Sequence, residues 1–177
     1  MSIFKWANFR STKSGIKLHT QLDIVTQIPK MVHITEARTH DINAMDIIEY
    51  EPQAGYIFDR GYWDLSRLYH INQVNAFFVI REKRRPEYAV ETCVDIESNS
   101  NVLKDEFVRF IGERNAKNYP DRIRRIVAYI PDLDRIFTFY TNNFILSSEQ
   151  IVFLYKNRWQ VELFFYDKYI VMRSAII

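Results

Sequence analysis

Asp59 directly follows the short apolar run Tyr56-Ile57-Phe58 and precedes Arg60-Gly61-Tyr62. Such a run, with Gly55 before it, reads as a buried strand ending at Asp59. Ligands gather at the carboxyl ends of strands in α/β sheets, so a carboxylate there can hold a metal ion. The same residue can also serve only as the acceptor of a turn hydrogen bond. Gly61 is expected to give the chain a sharp exit. A second group lies near the end of the sequence, where Glu162 stands among Trp159, Val161, Leu163, Phe164 and Phe165. A carboxylate among large apolar neighbours is costly unless it is paired or binds a cation. At about 100° per residue, Tyr155, Arg158 and Glu162 fall within roughly a 60° arc of one helix. A phenol, a guanidinium and a carboxylate then share one edge. The plainer alternative is an i, i+4 ion pair between Arg158 and Glu162, worth a few tenths of a kcal/mol.

Other reactive side chains offer less. The single cysteine, Cys93, excludes an internal disulfide and a thiolate cluster. It is a nucleophile or, more simply, a small apolar strand residue. His19, His33, His40 and His70 are scattered and read as structural. Charge is unevenly spread although the net charge is only +2. Lys5, Arg10, Lys13, Lys17 and Lys30 face a single acid, Asp23, in the first thirty residues, and two basic clusters follow later, Arg81 to Arg85 and Arg122 to Arg125. The intervening residues 31–80 are acidic on balance. Carboxylates for metal ions flanked by cations for phosphates would produce this pattern, and so would ordinary solvated faces.

These residues need elements to position them. At 177 residues and 47% hydrophobic composition, the chain is long and apolar enough for one compact domain with a real core. Alternation predicts strands over Ile16 to Val25 and Met31 to Ala37, joined as a hairpin by a turn around Gln27 to Lys30. Asp41 is placed to cap a helix reaching about Glu49. After the strand ending at Asp59, Asp64 caps a helix to about Val74, and Ala76 to Ile80 is another buried strand. This order argues for an α/β sheet with some parallel pairing. From Arg81 to Asn143 the pattern becomes antiparallel β, with strands near Tyr88 to Val94, Phe107 to Ile111, Arg122 to Ile130 and Arg135 to Thr141. Pro131-Asp132-Leu133-Asp134 turns the last pair. Ser147 and Gln150 form a capping box for a final helix from Ser148 to at least Phe165, in which Trp159 is expected to pack into the core. No signal peptide and no span of the roughly 20 apolar residues a bilayer needs are visible.

The motifs combine into a resemblance. Tyr56-Ile57-Phe58-Asp59-Arg60-Gly61-Tyr62, Ala76-Phe77-Phe78-Val79, Thr141-Asn142-Asn143-Phe144 and Leu154-Tyr155-Lys156-Asn157-Arg158-Trp159-Gln160-Val161-Glu162 closely resemble the bacterial insertion-sequence transposases of the DDE type, whose signature is Tyr, two residues, Arg, three residues, Glu. Lys17-Leu18-His19-Thr20 and Ile34-Thr35 to His40-Asp41 match the same family, so the resemblance covers about residues 4–165. It implies an RNase H-like α/β fold, a mixed sheet with helices, interrupted by a β-rich insertion over 82–143 within one domain spanning 1–177. It also implies a two-metal site for Mg²⁺ or Mn²⁺, with Asp59 as the second carboxylate and Glu162 as the third. The chemistry would be cleavage and strand transfer on double-stranded DNA, transposon ends and target alike. Tyr155 and Arg158 would contact phosphates near the transposon end, where a base is flipped from the stack. A homodimer is one possible assembly, with no membrane partner, in a bacterial cytoplasm at the nucleoid.

The sequence departs from the family at two places. The first carboxylate should precede Phe4-Lys5-Trp6, yet no Asp or Glu occurs before Asp23. The first strand is expected to be missing with it, leaving its neighbour as an edge. Six residues beyond Glu162 plus one, position 169 is Tyr where the signature has Lys. The expectation is a domain incomplete at both ends. Cleavage by this chain alone then requires another group in place of the first acid. The alternatives are a DNA-binding remnant that cannot cleave alone, able to poison an intact transposase in mixed dimers, and a gene remnant whose product does not fold stably.

Overall fold

The computed structural model of the protein describes residues 8–10, 13–14, 16–98 and 100–159. The chain forms two compact units, Met1–Ile48 with Asn157–Ile177, and Glu49–Lys156.

In the first unit, β1 (Asn8–Arg10) pairs antiparallel with β2 (Lys13–Ser14). The predicted hairpin is β3 (Ile16–Leu22) with β4 (Pro29–Glu36), antiparallel, with Leu18 opposite Ile34 and His19 opposite His33. Its turn lies earlier than expected, because Asp23 builds it. Asp23 Oδ1 accepts hydrogen bonds from the Val25 and Thr26 amides at 2.9 and 3.0 Å, and Gln27 takes a positive φ of 58°. Pro29 is therefore the first residue of β4 rather than part of the turn, a place where its missing N–H costs nothing. The helix expected after Asp41 is a 3₁₀ helix, Asp41–Ile47. His40, not Asp41, occupies the N-cap, its Nδ1 accepting from the Ile42 amide at 3.4 Å. Asp41 instead pairs with Lys17 at 2.8 Å, and Lys17 also donates to the Thr39 carbonyl.

The second unit contains a six-stranded mixed sheet in the order β5-β6-β10-β9-β8-β7. β5 (Gly55–Phe58) and β6 (Phe77–Arg81) are parallel, connected by helix α1 (Leu65–Gln73). β7 (Tyr88–Cys93), β8 (Val102–Phe110), β9 (Ile123–Ile130) and β10 (Arg135–Thr141) continue the same sheet by antiparallel pairing. Two short helices complete it, α2 (Glu113–Asn118), which the sequence pattern does not anticipate, and α3 (Ser148–Lys156). This is the mixed α/β architecture of the RNase H-like fold.

Local chemistry explains these elements. Asp64 caps α1 through its Oδ1, which accepts from the Arg67 amide at 3.1 Å and from Ser66 Oγ at 2.6 Å. Leu65, Leu68 and Ile71 recur on one turn-by-turn stripe and are buried. The helix ends with Asn75 at φ 58°, the Asn75 amide bonding Asn72 O and the Ala76 amide bonding Ile71 O. That is the paired 5→2 and 6→1 bonding of a left-handed C-terminal cap, for which asparagine is the best substitute for glycine. Gly55 sits opposite the Phe77 ring, which a Cβ there would strike. The capping box holds, with Ser147 Oγ accepting from the Gln150 amide at 3.2 Å and Gln150 Oε1 from the Ser147 amide at 2.8 Å.

The sheet has two apolar faces. On one, Val79, Val102, Ile126, Ala128, Ile130 and Phe139 pack with Ile151 and Tyr155 of α3. Alternate residues send Phe78, Phe110, Ile123 and Tyr140 to the other, where Tyr119, just past α2, joins them. There Tyr119 meets Tyr69 of α1 edge-on at 5.4 Å, and Trp63 meets Tyr140 at 5.1 Å. Burial pushes the Tyr119 and Tyr140 hydroxyls well above the ordinary phenol range, so both remain protonated.

Candidate active site

Asp59 lies one residue past β5, still in extended conformation with φ −70° and ψ 159°. Its position is fixed from both sides. Its Oδ1 accepts from the Arg60 amide at 2.7 Å, while its carbonyl accepts from the Tyr62 amide and starts a short 3₁₀ turn, Arg60–Tyr62. Trp63, which follows the turn, is buried against Tyr140 and anchors it. Gly61 is not among the positive-φ residues, so the exit turn does not depend on glycine freedom, contrary to expectation. A tight i to i+3 turn made by Asp59 itself does the work.

Asp59 has a partner that local sequence reading missed. Parallel pairing places Phe58 opposite Ile80, so the next residues, Asp59 just past β5 and Arg81 at the end of β6, fall side by side. Arg81 Nη2 lies 3.5 Å from Asp59 Oδ1. The Arg81 guanidinium also stands over the Phe137 ring, 4.7 Å from its centroid. The Asp59 side chain is 40% exposed and that of Arg81 20%. Asp59 thus stands at the carboxyl end of the parallel pair, open to solvent, against a cation held by stacking. The only sequence signal for Arg81 was the β-α-β order, which sets the ends of two strands next to each other.

Tyr155 lies on the same side of the sheet but inside it. Its side chain is buried, with its ring 4.8 Å from that of Phe139. Phe139 pairs with Arg81 across β10 and β6. The α-helix expected to continue to Phe165 changes at Asn157 to a 3₁₀ turn, Asn157–Trp159. A tighter ladder advances each side chain by about 120° rather than 100°. The wheel that sets Tyr155 and Arg158 on one edge therefore does not apply across Asn157. Trp159 is 48% exposed instead of packed in the core, with the Arg158 guanidinium 4.7 Å from its ring centroid. Glu162, its expected pairing with Arg158 and the departure at Tyr169 lie outside the described residues.

The basic cluster Arg122 to Arg125 does not form one DNA-facing surface. Strand alternation turns Arg124 and Arg125 to opposite faces of β9, where both find acids. Arg124 makes a two-pronged bond to Asp105, Nε to Oδ1 at 2.8 Å and Nη2 to Oδ2 at 2.6 Å, and its Nη1 donates to Leu146 O. Arg125 binds Glu106 at 2.8 Å. Only Arg122 is exposed, over the Phe107 and Phe144 rings. Asn142, quoted in the sequence only as part of the resemblance, has a structural role that local reading does not show. It accepts from the Phe78 amide and donates to Ala76 O and Asn72 Oδ1, all at 2.9 Å, tying the end of α1 to the start of β6. Asn143 Oδ1 accepts from the Ile145 and Leu146 amides ahead of α3. The Asn142-Asn143 pair is thus a structural fastener.

The remaining reactive residues have ordinary places. His19 is buried with Nε2 3.0 Å from Thr35 Oγ1, and burial lowers its pKa. His70 sits edge-on to Tyr50. Cys93 is a strand residue, but exposed. The donor set tests whether a divalent cation fits at Asp59. Among the described residues no three His, Cys, Asp or Glu side chains stand close enough to hold one. Asp59 contributes one open carboxylate, which is not a metal cage by itself.

The fold is that of a class, the transposase DDE domains, and the chain belongs to that family. The family model described as the transposase DDE domain matches residues 4–167. The chain is 32% identical over 164 residues to "Putative transposase y4zB" of Sinorhizobium fredii (strain NBRC 101917 / NGR234), covering 90% of this chain and 46% of that protein. It is 27% identical over 161 residues to "Probable transposase for insertion sequence element IS5377" of Geobacillus stearothermophilus, covering 90% of this chain and 42% of that protein. The chain therefore spans less than half the length of these relatives. No helix among the described residues is long and apolar enough to cross a membrane.

Proposed function

We propose that this domain serves the metal-dependent cleavage and joining of double-stranded DNA during transposition of an insertion sequence. The observation that carries the reading is Asp59, a solvent-open carboxylate at the carboxyl end of the parallel strand pair, in a chain of the transposase DDE family. In this reading Asp59 and Glu162 are carboxylates for Mg²⁺ or Mn²⁺. Arg158 contacts phosphate, and for Tyr155 to do so its hydroxyl, which is buried along with the ring packed on Phe139, must turn outward. Residues 82–143 are read as an insertion within one catalytic domain, acting as a monomer or homodimer in a bacterial cytoplasm.

A second reading has its own observation. Among the described residues no three His, Cys, Asp or Glu side chains gather at Asp59 to hold a cation. This chain would then bind DNA without cutting it. Nicking of supercoiled plasmid with Mn²⁺ decides between the two. Nicking lost in both Asp59→Asn and Glu162→Gln supports the enzyme. A folded chain that binds but never nicks supports the DNA-binding reading. Nicking that survives both substitutions rules out these two residues as the site.

A further inference from the structure

We propose that Arg81 is a phosphate-binding residue, and that with Lys83, Arg84 and Arg85 it forms a track leading the backbone of double-stranded DNA to Asp59. The inference rests on the DNA-acting reading above and names the cations that would serve it.

Arg81 carries five N–H donors in a fixed fork. Its contacts are the 3.5 Å approach to Asp59 and the Phe137 ring, and among the described residues its guanidinium donates no hydrogen bond. Yet its side chain is only 20% exposed. Donors held in such a place favour an acceptor that can enter from solvent. Arg124 shows the alternative in the same sheet, with its donors spent on Asp105 and on loop carbonyls. Stacking on Phe137 holds the Arg81 plane without using its donors, which suits bidentate capture of a phosphodiester.

The chain leaving Arg81 extends the site. Lys83, Arg84 and Arg85 are exposed, and among the described residues none of them is in an ion pair. Glu82, the one acid between them and Arg81, is turned away to accept from Tyr140 Oη at 3.2 Å. One half-buried and three exposed cations thus follow one another along the strand end, with their acid neighbour turned away. Arg81 also screens Asp59, whose charge would otherwise repel a polyanion.

The test is binding of a short fluorescein-labelled DNA duplex by anisotropy across a salt series, with unfolding followed in parallel. Arg81→Gln should weaken binding about five-fold and reduce the slope of log affinity against log salt by about one. Replacing Lys83, Arg84 and Arg85 together by Gln should reduce it by about three. Asp59→Asn should bind slightly tighter. If Arg81→Gln unfolds cooperatively but keeps the wild-type slope, Arg81 only balances Asp59 and the proposal fails. If Arg81→Gln does not fold, Arg81→Lys decides. A kept slope with weaker binding supports the proposal, and unchanged affinity overturns it. A wild-type chain that does not bind the duplex at any salt overturns both this inference and the DNA-acting reading. Binding that ignores Arg81 overturns this inference alone.

Discussion

Two arginine–aspartate pairs stand in one sheet and do different things. Arg124, near the start of β9, and Asp105, within β8, are almost fully enclosed and bonded through both prongs. Arg81 and Asp59, at the carboxyl end of β5 and β6, meet through one longer contact and remain partly open. A buried charge that loses its partner is left uncompensated in low dielectric, whereas a half-exposed one is taken up by water. The first pair therefore belongs to the fold. The second leaves a carboxylate and a guanidinium available to something from outside.

The largest effect expected is at the enclosed pair. Asp105→Asn should cost about 3–5 kcal/mol in urea unfolding, because Arg124 would keep its charge without a counterion. A loss below about 1 kcal/mol would erase the contrast between the pairs. Next comes Gly55→Ala beneath Asp59. Its new methyl meets the Phe77 ring and should cost about 1–3 kcal/mol. Asn142→Ala leaves the Phe78 amide without its acceptor and should cost about 2 kcal/mol. Ser147→Ala removes one half of the capping box and should cost about 1 kcal/mol.

The smallest effect is a pH dependence in the other unit. Burial lowers the His19 pKa, so the native hairpin favours the neutral ring. The folded state then binds fewer protons than the unfolded one near this residue. Its contribution is present above the unfolded value of about 6.5 and fades as pH falls through and below it. Amide protection factors in β3 and β4, corrected for the intrinsic exchange rate at each pH, should fall on acidification from neutral pH, and His19→Gln should flatten that response. An unchanged pH profile in the variant would remove His19 as the cause. Asp64 contributes with the same sign at lower pH. Burial opposes its ionisation, but hydrogen bonds from Ser66 and Arg67 outweigh that and lower its pKa.

Local rules carried the sequence a long way. The strand ending at Asp59, the Asp64 cap, the Ser147–Gln150 box and the hairpin follow from periodicity and short-range hydrogen bonding, and the structure has each of them. The parallel pairing of β5 and β6 was legible because a helix separates them. What local rules missed depends on distant partners. Arg124 meets Asp105 from nineteen positions away, so a run that reads as a basic surface turns inward. Asn142 works through contacts at sixty-four to seventy positions. Helix α2 is short, polar and begins at Gly112 with φ 81° and no side-chain cap, so it has no start signal. Trp159 was assigned to the core by a helical wheel that the 3₁₀ turn at Asn157 invalidates.

On the proposed function Asp59 serves chemistry, whereas Asp105 serves the fold. The direct test is urea unfolding of Asp59→Asn beside Asp105→Asn and the parent chain. The account predicts that Asp59→Asn unfolds at the parent midpoint, within about 1 kcal/mol, or slightly above it. A loss of several kcal/mol, equal to that of Asp105→Asn, would make Asp59 one more structural ion pair and contradict the account.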